Sequence, residues 1–258
     1  MRPAPALARV LVLVAFALCA RAEGVADGVT QALKVEVLTE RIAKLHAQAG
    51  QGLLGGRSRR DLSQAARDMD AALAAIDATP QDAELHESYA LLVLLGAGYR
   101  EWALRPATRE SARKLRSRAE ELTHVAARRT RLLQERSRGT ARANVVRAMN
   151  AAIMAQRVAK ARLWMRWDVG DAALAKELRE ANENLHRLLA TLREPDAQLP
   201  EAVEALDSAR TQLGFMDDAQ RELDAKGPAA RPTEFVAKAA DFIEESMERA
   251  AAAYAAAR

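Results

Sequence analysis

The 258-residue chain is almost devoid of cysteine, with Cys19 its single example. One cysteine has no partner for an intramolecular disulfide and cannot form a Cys-x-x-Cys metal or haem site. Cys19 also lies within a predicted signal segment, so the processed chain is expected to have no thiol nucleophile. The stability of the fold must therefore come from side-chain packing.

Aromatic residues are scarce as well, with three Trp, three Tyr and four Phe, although 50% of the residues are hydrophobic. Alanine is abundant and runs of β-branched residues are nearly absent, a composition typical of helical proteins. The sequence contains no Gly-x-Ser-x-Gly, Walker or His-Glu-x-x-His motif. We therefore expect an all-α protein that is not an enzyme, with no catalytic residues and no cofactor.

Long apolar runs are missing, and the longest near the N-terminus, Val10–Leu18, has about half the ~20 residues that cross a bilayer. It follows the basic residues Arg2 and Arg9 and precedes a small-x-small sequence that ends at Ala22. This order is typical of a secretory signal peptide. Residues 1–22 are predicted to be cleaved off, which indicates a periplasmic protein.

Net charge is low but unevenly distributed. Without the three signal arginines, 36 basic residues face 35 acidic ones. Residues 99–147 carry 14 basic and 5 acidic side chains, whereas residues 168–258 carry 11 basic and 19 acidic ones. We expect the two regions to attract each other within the fold or between chains, which leaves a homo-oligomer open. Nucleic acid is not an expected partner of an exported, aromatic-poor chain.

Glycine and proline divide the chain into eight predicted helices. Thr233 is predicted to be the N-cap of the last helix. The predicted helices cover residues 25–50, 61–79, 82–105, 108–137, 141–167, 171–193, 201–225 and 233–258.

The phrase LTERIAK at 38–44 returns as MAQRVAK at 154–160, an offset of 116 residues. The same offset pairs Leu62 with Leu178 in the following helix, which indicates a duplicated unit. In the third helices a three-residue shift places Trp102 opposite Phe215. In the fourth helices an offset of 120 pairs two leucines with two phenylalanines, namely Leu115 with Phe235 and Leu122 with Phe242.

We therefore predict two tandem up-down four-helix bundles, covering residues 23–138 and 139–258. The junction near residues 138–140 has one glycine and no long linker. The sequence leaves open whether the bundles are two separate domains or are fused end to end into one elongated rod.

The repeated phrase resembles the first-helix motif of the type IV pilus chemotaxis transducer N-terminal domain (PilJ-type), a sensory module related to that of nitrate-sensor kinases. The family pattern, N-x-A-G-x-x-R-M-L-S-Q-R-x-A-K, aligns with residues 30–44 and 146–160. The resemblance implies a helical sensor domain that binds a small anion. Glu36 and Ala152 replace the family's first arginine, which faces the anion in nitrate sensors. The matching residues are Leu38, Arg41, Ala43 and Lys44 in the first copy, and Gln156, Arg157, Ala159 and Lys160 in the second.

Four cations of this motif are the candidate ligand-binding residues: Arg41, Lys44, Arg157 and Lys160. Each Arg–Lys pair is spaced i, i+3 and lies on one helical face. If the two first helices meet at a pseudo-twofold axis, the four cations can line one anion pocket. In the plainer interpretation they are solvated or neutralised by acids such as Glu40.

Metal binding is not expected, because the four histidines are dispersed and lack paired spacing. The segment Trp164–Trp167 includes Met165 and is conceivable as a copper(I) site, but burial of the tryptophans is the favoured interpretation. The histidines are His46, His86, His124 and His186.

Two functions remain. The first is an exported sensory protein that binds a ligand and acts through a periplasmic or membrane-receptor partner. The second is a periplasmic adaptor or structural protein whose repeats are degenerate sensor domains.

Overall fold

The computed structural model describes residues 6–77, 82–136, 143–192 and 199–257, with side chains from residue 28 onward. Within these ranges all regular structure is helical, and the all-α prediction is confirmed. The helices are α1 (Ala6–Gly50), α2 (Gly56–Asp77), α3 (Ala83–Ala103), α4 (Arg109–Arg136), α5 (Ala143–Arg166), α6 (Ala172–Thr191), α7 (Pro200–Lys226) and α8 (Ala230–Ala256).

The helices pack as two four-helix bundles. In the first, α1 packs against α2 and α4, and α3 packs against α4 and α2. In the second, α5 packs against α6 and α8, and α7 packs mainly against α8. Extensive packing of α1 against α5 joins the bundles side by side around one continuous core, so they are not joined end to end. Since α1 and α5 each face two sets of neighbours, they are buried on nearly all sides.

The duplication extends to the way the first helix of each bundle ends. Gly52 has a φ of 68° and Asp168, 116 residues later, has a φ of 58°. After each, the next N–H donates to the carbonyl five residues earlier: Leu53 N–H to Gln48 O at 3.0 Å, and Val169 N–H to Trp164 O at 3.0 Å. This is the 6→1 hydrogen bond of a Schellman motif. The offset of 116 therefore describes the backbone as well as the side chains.

The predicted alignment of the fourth helices is wrong by one residue. Leu115 and Leu122 are fully buried, whereas Phe235 and Phe242 are 49% and 52% exposed. An offset of 121 pairs Leu122 with the buried Ile243 and matches every buried position of α4 with a buried position of α8. One residue rotates an α-helix by 100°, so the offset of 120 exchanges core for surface.

The third helices need a different register too. Phe215 is 57% exposed and Trp102 is only partly buried. An offset of 117 pairs the buried Tyr99 with the buried Met216, and matches the other buried positions of α3 with buried positions of α7. The predicted shift differs from this register by four residues, about one helical turn, and therefore preserves the buried face approximately.

Three predicted helix starts are also wrong. Helix α1 begins at Ala6, earlier than the predicted residue 25. Helix α2 begins at Gly56, earlier than the predicted Asp61. Helix α8 begins at Ala230, and the Thr233 hydroxyl donates to the Ala229 carbonyl at 2.6 Å instead of capping the helix. Inside the first turn a threonine can bond to the carbonyl four residues earlier.

The basic and acidic regions meet at one edge of the contact between the bundles. Arg109 lies 3.7 Å from Asp168, and Arg116 lies 3.2 Å from Asp171. Both acids belong to the turn between α5 and α6. No helix of the described residues combines the length and the apolar character needed to cross a bilayer.

Candidate functional site

Arg157 and Lys160, the second predicted cation pair, lie on α5 and share one carboxylate of α1. Arg157 Nη2 is 2.8 Å from Glu40 Oε1, and Lys160 Nζ is 2.7 Å from Glu40 Oε2. Lys160 also donates to Glu177 of α6 at 2.8 Å. Burial alone raises the pKa of Glu40, but the charges of Lys160 and Arg157 outweigh it and lower that pKa to about 2.

The first predicted pair, Arg41 and Lys44, reaches across to α8. Arg41 Nη1 donates to Glu244 Oε1 at 2.9 Å, and the fully buried Lys44 donates to Asp241. Gln156 adds a hydrogen bond from Nε2 to Glu244 Oε2 at 2.6 Å. Further along the same two helices Lys34 pairs with Glu248. We call these three pairs, Lys34–Glu248, Arg41–Glu244 and Lys44–Asp241, the α1–α8 ladder.

Each Arg–Lys pair thus shares a helix face, as its spacing predicts, but the four cations do not line a common pocket. One pair lies against α8 and the other lies between α1 and α6. All four are held by carboxylates, Glu40 among them, which agrees with the plainer interpretation of these residues. Binding of a ligand by Arg41, Lys44, Arg157 and Lys160 stays a prediction.

The internal repeat relates the α1–α8 ladder to a second place in the molecule, between α5 and α4. The offsets of 116 and 121 give an equivalent for each of the six ladder residues, and three of these equivalents have a shorter side chain than the ladder residue. The lysine–glutamate pair is replaced by Asn150 and Ala127, and the partner of the arginine is Thr123. The equivalences are Lys34 with Asn150, Arg41 with Arg157, Lys44 with Lys160, Asp241 with Glu120, Glu244 with Thr123 and Glu248 with Ala127.

Where the second ladder is missing, a cleft of about 420 Å³ lies among α1, α4, α5 and α6. All six equivalent residues line it, so the loss of side-chain volume accounts for the space. Its size falls within the range of about 300–1,000 Å³ that is usual for small-molecule sites. The lining comprises Glu36, Glu40, Ala119, Glu120, Thr123, His124, Ala127, Asn150, Ile153, Met154, Arg157, Lys160 and Glu177.

Glu36 is a cleft residue that sequence reasoning did not select. It is 7% exposed, and its Oε1 lies 3.0 Å from the Thr130 hydroxyl oxygen. That hydroxyl also lies 3.1 Å from the Ala126 carbonyl oxygen, and its single proton can serve only one of them. A proton on Glu36 satisfies both contacts, since the carboxyl can then donate to Thr130. Burial raises the pKa of Glu36 to about 7.

The sequence did carry a signal for Glu36. It stands where the family pattern has an anion-facing arginine, on a helix whose neighbouring positions are apolar. At an anion site a carboxylate repels the ligand. Charge reversal at a pocket position can equally indicate a ligand of opposite charge.

His46 and Trp164 are packed into the core of the described structure. His46 is buried and bridges α1 to the Ala103 carbonyl and the Ser111 hydroxyl, both at 3.0 Å. Burial lowers the pKa of His46, so it is neutral at neutral pH. Trp164 is fully buried under Lys160, as favoured, with the ammonium 5.0 Å from the ring centroid. No group of three metal-ligating side chains converges in the part of the chain that the structure describes.

Comparison of the chain with protein-family models, with curated proteins and with solved structures finds no match. The resemblance to the transducer sensor domain therefore rests on the repeated first-helix phrase alone and stays a prediction.

Proposed function

We propose that the protein is an exported sensory protein that binds a small molecule in the α1/α4/α5/α6 cleft and acts through a protein partner. The observation that carries the proposal is the asymmetry between the repeats. One repeat-related position is filled by the three ion pairs of the α1–α8 ladder, and the other is an open cleft of ligand size.

The position of the cleft supports a sensory role. Helices α1 and α4 belong to one bundle, and α5 and α6 belong to the other. A ligand in the cleft adds contacts between the bundles, so it favours the arrangement that closes on it. Shifts of about 1–2 Å between packed helices are a common form of such a change. A partner that contacts both bundles can detect this shift between them.

A small free anion, which the family resemblance implies, fits this geometry less well. Such an anion must compete with Glu40 and Glu177 for Arg157 and Lys160. An intramolecular carboxylate has a high effective concentration, and an exogenous anion gains little by displacing it. Nitrate and nitrite therefore belong in a ligand screen, but as one arm among several.

A thermal-shift screen of the purified protein tests the proposal. The decisive variant restores the missing ladder with Thr123→Glu, Ala127→Glu and Asn150→Lys, which fills the cleft with side chains. We expect at least one class of small molecule to raise the Tm of the unmodified protein and to leave that of the ladder-restored variant unchanged.

A matched control introduces the same charges on the exposed face of α2, with Ala71→Glu, Ala74→Lys and Ala75→Glu. This control should respond to ligand as the unmodified protein does. If no cation, anion or neutral compound shifts the Tm, or if the ladder-restored variant responds equally, a ligand site in this cleft is ruled out.

An adaptor function is the second candidate, and one surface favours it. Phe215 of α7 and Phe235 and Phe242 of α8 are each about half exposed on two helices that pack together. Exposed aromatic side chains are common anchors of protein interfaces. For an adaptor we expect capture of a periplasmic protein that weakens on Phe215→Ser and Phe242→Ser, with no thermal shift from any small molecule.

A further inference from the structure

Resting on the proposed function, we propose that the cleft takes a protonated organic amine, with the ammonium group at Glu36 and the hydrocarbon part on Ile153 and Met154. Three features support this ligand: the cations of the cleft are held by other acids, Glu36 has unused bonding capacity, and an apolar surface lies beside it.

Among the described residues Glu36 has no ion-pair partner, because the cations that line the cleft are held by other acids. Arg157 and Lys160 of α5 are balanced by Glu40 of α1 and Glu177 of α6, which they contact at 2.7–3.7 Å. On α4, Glu120 pairs with Arg116 at 3.1 Å. The other titratable or charged groups near Glu36 are His124, exposed at the cleft, and Arg131, exposed further along α4.

The bonding capacity of Glu36 points the same way. Its Oε1 is engaged by Thr130, while its Oε2 has no donor among the described residues. Glu36 is more than nine-tenths buried and lines the cleft, so a ligand in the cleft can reach its carboxylate. A carboxylate can accept about four hydrogen bonds, and an ammonium group supplies both donors and the opposite charge. A second anion in the cleft would instead face an unneutralised carboxylate.

The remaining surface suits the hydrocarbon part of an amine. Ile153 is 1% exposed and Ala119 3%, and both line the cleft together with Met154 and Ala127. The Thr123 hydroxyl has no hydrogen-bond partner in the described structure and can accept a bond from a second polar group of the ligand. The cleft therefore offers an apolar wall for an aliphatic chain of a few carbons and a polar group at its end.

The proposal predicts the pH dependence of binding. An ammonium binds the ionised form of Glu36, whose pKa is raised to about 7, so binding releases a proton at lower pH. The ionised fraction rises roughly 30-fold between pH 5.5 and pH 8, and the affinity should follow it until the amine itself deprotonates. A His124→Gln variant should keep this profile if Glu36 is the group responsible.

The experiment is titration calorimetry and thermal shift at pH 8 with n-butylamine and 1,4-diaminobutane. Matched probes are 1-butanol (neutral), butyrate and nitrate. We expect the amines alone to bind, and Glu36→Gln to weaken them at least about tenfold. Glu245→Gln, at an exposed position of α8, is the control that leaves binding unchanged.

The outcomes separate the two proposals. If butanol, butyrate or nitrate binds and the amines do not, and the ladder-restored variant abolishes that binding, the amine proposal is wrong and the ligand-binding function stands. If the amines bind equally well to the Glu36→Gln variant, the amine proposal is also wrong. If none of the probes nor any compound of the wider screen binds, both proposals fail.

Discussion

Glu36 offers the sharpest test of the structure without any ligand. The Glu36→Gln substitution keeps the shape of the side chain and an acceptor for Thr130, but it removes the charge. In the folded protein burial raises the pKa of Glu36 from 4.5 to about 7. Between these two pH values the folded chain holds a proton that the unfolded chain has lost. Ionisation of Glu36 therefore destabilises the fold progressively as the pH rises from about 4.5 to 7.

The size of the effect follows from the shift. One pKa unit corresponds to about 1.4 kcal/mol, so a rise from 4.5 to about 7 corresponds to a loss of about 3 kcal/mol above pH 7. Glu36 is almost fully buried, so little of this is screened by solvent. Below pH 4.5 the substitution should change the free energy of unfolding little, whereas at pH 8 the Gln variant should be more stable by about 3 kcal/mol.

Urea denaturation of both proteins at half-unit intervals from pH 4 to pH 9 measures this difference. Subtracting the two profiles removes the contributions of all other titrating groups, which the two proteins share. The expected difference curve is flat below about pH 4.5, rises between about pH 4.5 and pH 7, and levels off above pH 7. A difference that is independent of pH, or that favours the unmodified protein at pH 8, would refute the burial of an ionisable Glu36.

Three further predictions concern the helix contacts and can be checked by the same denaturation assay. Glu40→Gln should destabilise the fold by about 3 kcal/mol at pH 7, because it leaves buried cations without their shared carboxylate. This loss of stability should shrink as the pH falls from about 4.5 towards 2, since the pKa of Glu40 is lowered to about 2. The two equivalent helix ends both have a residue with positive φ. Asp168→Gly should therefore stabilise the protein by about 0.5 kcal/mol, and Gly52→Ala should destabilise it by about 1 kcal/mol. Equal effects of the same sign would contradict the shared geometry. Gly50→Ala should cost about 1–3 kcal/mol, because its Cβ would collide with the Trp167 ring where α1 ends, and a neutral result would contradict that close approach.

Much of the architecture could be predicted from the chain alone. Helix periodicity, glycine and proline positions and the offset of 116 led to eight helices in two bundles, because each of these signals is a pattern of residue types along the chain. The errors come from the same patterns. The offset of 120 paired Leu115 and Leu122 with Phe235 and Phe242 because it matched large apolar residues, and periodicity alone does not say which apolar face is covered.

The site was less predictable, because it depends on which helices meet. The spacing of Arg157 and Lys160 placed them on one face of α5, and the structure confirms that. Their neutralisation by Glu40 and Glu177 requires the side-by-side contact of α1 with α5, which local patterns do not encode. The cleft itself is a difference between two repeat-related positions, so it can be recognised only once both offsets, 116 and 121, are known.

The sequence by itself determined the helices, their duplication and the residues that carry charge on each face, because these follow from residue spacing along the chain and not from which helices meet. The tertiary structure alone decided that α1 and α5 pack together, that one ladder is filled while its counterpart is open, and that Glu36 is buried beside that opening. These features depend on side chains separated by about 100 residues or more, such as Glu40 and Arg157, and the balance between burial and charge there emerges only when the bundles meet.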